Sequence, residues 1–217
     1  MPNILSEERS TDEIVRDARY HHAALLADPD TQHLAAAVKQ RIDALLKARL
    51  QSDAADALHQ EKQALRNRAE FVHDDAQRSC ELEVLGVVRK ERSLPAYKNV
   101  YRIGLSGLIA LSGEEQEREV VKLCEALTAE HPELGKKYSK NLLKLAAEAT
   151  AAERALLQAD TDATHAFAGE VRGRVALNEQ LRRNEGALIS LFPTDKARVR
   201  LYYRTRRSSK KVSAPTA

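Results

Sequence analysis

The sequence predicts an all-α fold: an antiparallel helical bundle built from two tandemly duplicated helical units with pseudo-two-fold symmetry. Three observations predict it. Glycine (8), proline (6) and aromatic residues (4%) are scarce, and Ala, Leu, Glu, Arg and Lys dominate. That is the composition of long helices, since strands favour β-branched and aromatic residues. Apolar residues recur at three- and four-residue spacing over long stretches, as on one face of a helix. Finally, blocks of sequence return 106 positions later. LSEERSTDEIV (5–15) returns as LSGEEQEREVV (111–121), DALH (56–59) as DATH (162–165), and LRNRAEF (65–71) as VRGRVAL (171–177). Lys90, Arg92, Tyr97 and Lys98 fall in the same way on Lys196, Arg198, Tyr203 and Arg204. Between these anchors, ADPDTQ and AEHPELG align only after a shift of about one helical turn.

A period this long is not that of a solenoid, whose repeats span about 20–50 residues. The copies are read as 5–104 and 111–207. No Pro/Gly/Ser-rich linker separates them, because YRIGLSGLIALSG is short and largely apolar. Residues 1–193 are therefore expected to form one bundle, followed by a basic C-terminal segment, 194–217, whose last dozen residues read as a disordered tail.

Each element follows from local chemistry. Ser10 or Thr11 can cap a first helix whose opening acids, Asp12 and Glu13, suit a helix N-terminus, and which ends near Ala27 before DPD. A second starts near Thr31, with Leu34, Val38, Ile42, Leu45 and Leu46 on one face. A third carries Leu58, Leu65, Ala69, Val72, Ala76, Cys80 and Val84 and ends near Ser93, before Pro95. The second copy repeats the scheme over about 114–128, 133–158 and 161–190. Neither Ser52–Asp53 nor Asp160–Thr161 contains Gly or Pro, so the second and third helices of each copy could be continuous. A helix from Thr31 to Ser93 would be roughly 90 Å long, and the short first helix could not cover its apolar stripe. A turn at both places is the expectation, supplied by Asp, Ser and Thr competing with the helical hydrogen bonds.

The start, MPNILSEERS, lacks the basic region and apolar core of a secretory signal, and no run of about eighteen apolar residues exists to span a membrane. Cys80 and Cys124 lack metal-type spacing and read as small buried hydrophobes in a reducing compartment, which makes the protein cytoplasmic. From Thr194 onward there are eight basic residues and one acid in a chain of net charge +3. Such asymmetry is the first cue for a polyanionic partner.

Two site readings follow. Asp56 and His59, and likewise Asp162 and His165, sit at i and i+3 on one helix face. With Glu13 and Glu119 they could make a ferritin-like pair of Fe or Mn ions, whose usual ligands are Glu-x-x-His pairs plus a Glu from each of two further helices. Against this, Asp56, Asp162 and Glu13 all read equally as first-turn acids. In the C-terminal segment, Arg198, Arg200, Arg204, Arg206, Arg207, Lys210 and Lys211 could neutralise phosphates while Tyr202 or Tyr203 stacks on a base. The competing reading is a solvated helix end. No Gly-rich phosphate loop and no catalytic set can be singled out. No cofactor is expected outside the dimetal alternative. The function read from the sequence is therefore a non-enzymatic helical scaffold or interaction protein whose partner is another protein. Nucleic-acid association through the C-terminal segment is the alternative.

Overall fold

The computed structural model describes residues 9–204, and every element among them is a helix. In chain order these are α1 (Thr11–Ala27), α2 (Gln32–Val87), α3 (Pro95–Lys98), α4 (Gly104–Ile109), α5 (Gly113–Glu130), α6 (Pro132–Leu191) and α7 (Lys196–Leu201). No strand occurs among the described residues, and no helix is long and apolar enough to cross a membrane.

The chain divides into two compact units, each assembled from both halves of the sequence. Unit 1 takes residues 1–53 and 164–217, and unit 2 takes residues 54–163. In unit 1, α1, the first part of α2, the last part of α6 and α7 enclose a core that includes Ile14, Ala18, Leu25, Val38, Leu45, Leu181 and Leu188. In unit 2, the last part of α2, α3 to α5 and the first part of α6 enclose Val84, Val100, Leu108, Val120, Leu127 and Leu142. Burial of each such side chain contributes about 1.5–3 kcal/mol. Both cysteines are free and buried in the unit 2 core.

The caps behave as their chemistry dictates. Ser10 accepts a hydrogen bond from the Glu13 amide, and Asp12 and Glu13 occupy the first turn of α1. Such a cap is worth about 1 kcal/mol. α2 stops at Val87, six residues before the expected Ser93. Arg89 and Lys90 there take positive φ (52° and 64°), and the Lys90 amide donates back to the Leu85 carbonyl at 2.7 Å. This left-handed termination satisfies carbonyls that the helix end leaves over, and Pro95 then opens α3 at its first position. Between α5 and α6 the backbones nearly touch: a Cβ on Gly135 would lie 2.7 Å from the Cα of Thr128.

The expected turns at Ser52–Asp53 and Asp160–Thr161 do not form, and α2 and α6 run through both places. The polar residues meant to break the helix instead spend their hydrogen bonds inside it. Thr161 Oγ1 donates to the Leu157 carbonyl at 3.0 Å, and Gln158 donates to Asp162 at 3.0 Å. Arg49 pairs with Asp53 at 3.7 Å. With Ala, Leu, Gln and Lys around them, a few such residues cost only tenths of a kcal/mol. Asp56 and Asp162 are therefore interior residues and not first-turn acids. Only Glu13 keeps that role.

The buried positions of the long helices recur with a spacing of 104. Val38, Ile42, Gln77, Cys80 and Val84 correspond in this way to Leu142, Ala146, Leu181, Asn184 and Leu188, all buried. The repeated tetrapeptide, at 106, lies two residues off this register. At about 100° per residue, that turns it to another face. His59 is half-buried and His165 exposed.

Candidate functional site

The C-terminal segment is built into unit 1 as far as Arg204. α7 opens with Asp195, whose side chain accepts from the Arg198 amide. Helical spacing over about one turn then places Val199, Tyr202 and Tyr203 at i, i+3 and i+4, and all three are buried. Tyr203 stacks on His21 with ring centroids 4.8 Å apart, and Tyr202 lies parallel to Phe192 at 6.4 Å.

His21 anchors this closure. Its Nδ1 donates to the Tyr202 carbonyl at 3.0 Å, which leaves Nε2 to accept from the Asn184 amide at 3.1 Å. Asn184 in turn accepts from Gln180 at 2.9 Å. The chain of donors and acceptors fixes His21 as the neutral, Nδ1-protonated tautomer. Burial pushes its pKa down to about 4.

A second latch lies at the surface. Arg198 reaches Asp28 at 2.6 Å and Asp30 at 3.0 Å, and its guanidinium sits 3.8 Å from the centre of the Phe192 ring. The Tyr202 hydroxyl donates to Asp28 as well. That bond and the Arg198 guanidinium hold the Asp28 carboxyl at about 2. Arg204 pairs with Asp17 at 3.8 Å.

The segment's predicted contact residues thus separate into groups. Tyr202 and Tyr203 are only 4% and 6% exposed, so neither ring presents a face on which a base could stack. Arg198 has its charge matched by two aspartates. Arg200 and Arg204 are exposed at the surface of unit 1. Arg206, Arg207, Lys210 and Lys211, with the expected disordered tail, lie outside the described residues. Packing of Tyr203 is expected from its counterpart Tyr97, 106 positions earlier in a far less basic stretch, and the spacing of both tyrosines to Val199 carries the same signal.

The six residues of the proposed dimetal set are distributed over both units. Glu13 and His165 belong to unit 1, while Asp56, His59, Glu119 and Asp162 belong to unit 2. Glu13 lies 3.9 Å from both Arg9 and Arg16. Glu119 is paired with Lys122 at 2.5 Å, and Asp162 accepts from Gln158. His59 stands 3.7 Å from Asp160, and Asp56 is exposed. Among the described residues no group of three or more His, Cys, Asp or Glu side chains is arranged to hold a metal.

Unit 2 carries its own buried polar cluster, which the sequence reading missed. His73 and Gln77 are 0% and 1% exposed, and Gln77 Nε2 lies 2.9 Å from His73 Nε2. Burial lowers the His73 pKa. Nearby in sequence, Glu81 accepts from the Tyr97 hydroxyl at 2.5 Å and from Arg92 at 3.2 Å. Burial and this carboxylate push the Tyr97 phenol up to about 12. Tyr97 stacks on Tyr101 at 5.2 Å. These contacts tie α3 to α2 and use the polar groups for packing.

Comparison of this all-helical chain with protein-family models, with curated proteins and with solved structures finds no match.

Proposed function

We propose that the chain is a non-enzymatic cytoplasmic scaffold or interaction protein whose partner is another protein. The observation that carries this reading is the apolar surface on the long helices. In unit 2, Leu58 and Leu65, seven residues apart on one face of α2, are 42% and 52% exposed. In unit 1, Phe167, Val171 and Val175 line one face of α6. Spaced apolar residues on an exposed helix face suit a helix-mediated contact. The polar residues of the cores support the same reading, since His21, Asn184, Glu81 and Tyr97 all hold helices together. We attribute the shared burial pattern of α2 and α6 to a tandem duplication.

The test is site-specific photo-crosslinking in cells. A photoreactive residue at position 65 should give a discrete protein adduct that one at the exposed Lys144 does not. Leu58→Glu with Leu65→Glu should abolish the adduct trapped from a neighbouring position while shifting stability by no more than about 0.5 kcal/mol. Equal labelling from positions 65 and 144 would defeat the proposal.

Nucleic-acid association is a second reading, favoured by the charge partition between the units. The sequence of unit 1 carries 19 Lys and Arg against 13 Asp and Glu, whereas that of unit 2 carries 16 against 19. A net +6 and −3 account for the chain's +3.

A further inference from the structure

The exposed face of α6 is palindromic in chemistry. Starting from Val171, the same face is met at 167 and 175, at 164 and 178, and at 160 and 182. The spacing therefore runs 4, 3, 4 in both directions, the alternation that keeps a seam on one side of a helix. Outward from the centre come Phe167 and Val175, then Thr164 and Asn178, then Asp160 and Arg182. Val171, Phe167 and Val175 are 38%, 54% and 46% exposed, and Asp160 remains 67% exposed although it lies 3.7 Å from His59. α6 is unbroken across all of these positions.

We propose that this face is the contact with a second copy of the chain, an antiparallel pairing of α6 with α6 about a two-fold axis at Val171. In that register Val171 meets its own counterpart, and Phe167 meets the second copy's Val175 twice over. Asp160 meets the second copy's Arg182 at both ends, so opposite charges close the seam. A two-fold contact must be self-complementary in this way, and the charge pairing selects the antiparallel arrangement, since a parallel one would set Asp160 against Asp160. Of the positions of α2 that share its burial register, Gln63 and Asn67 in place of Phe167 and Val171 are polar, whereas Phe71 in place of Val175 is apolar and exposed, so the apolar centre at residue 171 belongs to α6 alone. One helix face per copy is small beside a standard interface of about 1,600 Å², so the association is weak and concentration-dependent.

The contact is tested by sedimentation velocity on the full chain from about 5 µM to about 500 µM, a range suited to a small interface. The wild type should move from monomer to dimer. Val171→Glu and Val171→Lys, each alone, should weaken association at least tenfold, because each sets like charges face to face at the axis. An equimolar mixture of the two should recover it, which only a contact of residue 171 with itself explains. Asp160→Arg should weaken the dimer, and the exchange Asp160→Arg with Arg182→Asp should restore it, with circular dichroism confirming the fold of each variant. Monomer throughout, wild-type association of Val171→Glu, or failure of the mixture to recover would each overturn the proposal. A monomeric result would leave the crosslinking test at position 65 standing, so the two readings fail separately.

Discussion

His21 falls three residues after Ala18 and four before Leu25, on the face of α1 that enters the core. Its burial follows from that register, and so does its response to acid. In the unfolded chain an imidazole titrates near 6.5, whereas in unit 1 burial holds it at about 4. The unfolded state therefore binds the extra proton first, and stability falls as pH drops from about 6.5 to about 4. At pH 5 the expected loss is about 2 kcal/mol relative to neutral pH. A protonated Nε2 would also face the Asn184 amide, donor against donor. His21→Phe keeps a ring against Tyr203 and should remove this part of the pH dependence, read from urea denaturation at pH 7 and pH 5. An unchanged profile would show that His21 is not the titrating group. The sequence held the signal, for His21 lies in register with Ile14, Ala18 and Leu25. Its partners, Asn184 and Tyr202, are more than 160 positions away, and no local pattern points to them.

At the scale of elements, the helices and their caps were legible because each rests on neighbours in sequence. Ser10 before Asp12 and Glu13 opens α1, and Pro95 opens α3. Continuity was not legible, because it turns on a balance of tenths of a kcal/mol per residue. Ser52, Asp53 and Thr161 favour a break in isolation, but i→i+4 pairs and a bond from Thr161 to Leu157 absorb them. The short first helix leaves part of so long a stripe uncovered, and the outcome is exposure rather than a turn, as Leu50 and Leu157 show at 71% and 62%. Ala55→Pro separates the two cases. In an uninterrupted helix it removes a hydrogen bond and clashes with the preceding turn, costing about 3 kcal/mol or more. At a turn the cost would be small. A thermal melt within a degree or two of the wild type would contradict a continuous α2.

Across the whole molecule, the charge of unit 1 follows the C-terminal segment. The first and last quarters of the sequence both join unit 1, and without residues 194–217 that unit carries 11 Lys and Arg against 12 Asp and Glu, so its positive charge comes from the segment itself. If a polyanion is bound, retention on heparin should fall steeply with salt as counterions are released, and deletion of Thr205–Ala217, which removes four of the cations, should reduce the slope. Tyr202→Phe should leave retention unchanged, since that ring is buried, and Arg200→Ala should reduce it. Passage through heparin without retention at low salt would dispose of this reading.

The two thiols have a practical consequence. Cys80 and Cys124 are buried, and burial raises both pKa values, that of Cys80 to about 11. At neutral pH neither offers an accessible thiolate to an alkylating reagent. A cysteine introduced at an exposed position, such as Lys144 or Arg172, would be the single reactive handle on the native protein. Fluorophores or spin labels can be attached there without first removing the natural cysteines, and reactivity appearing at Cys80 would report the opening of unit 2.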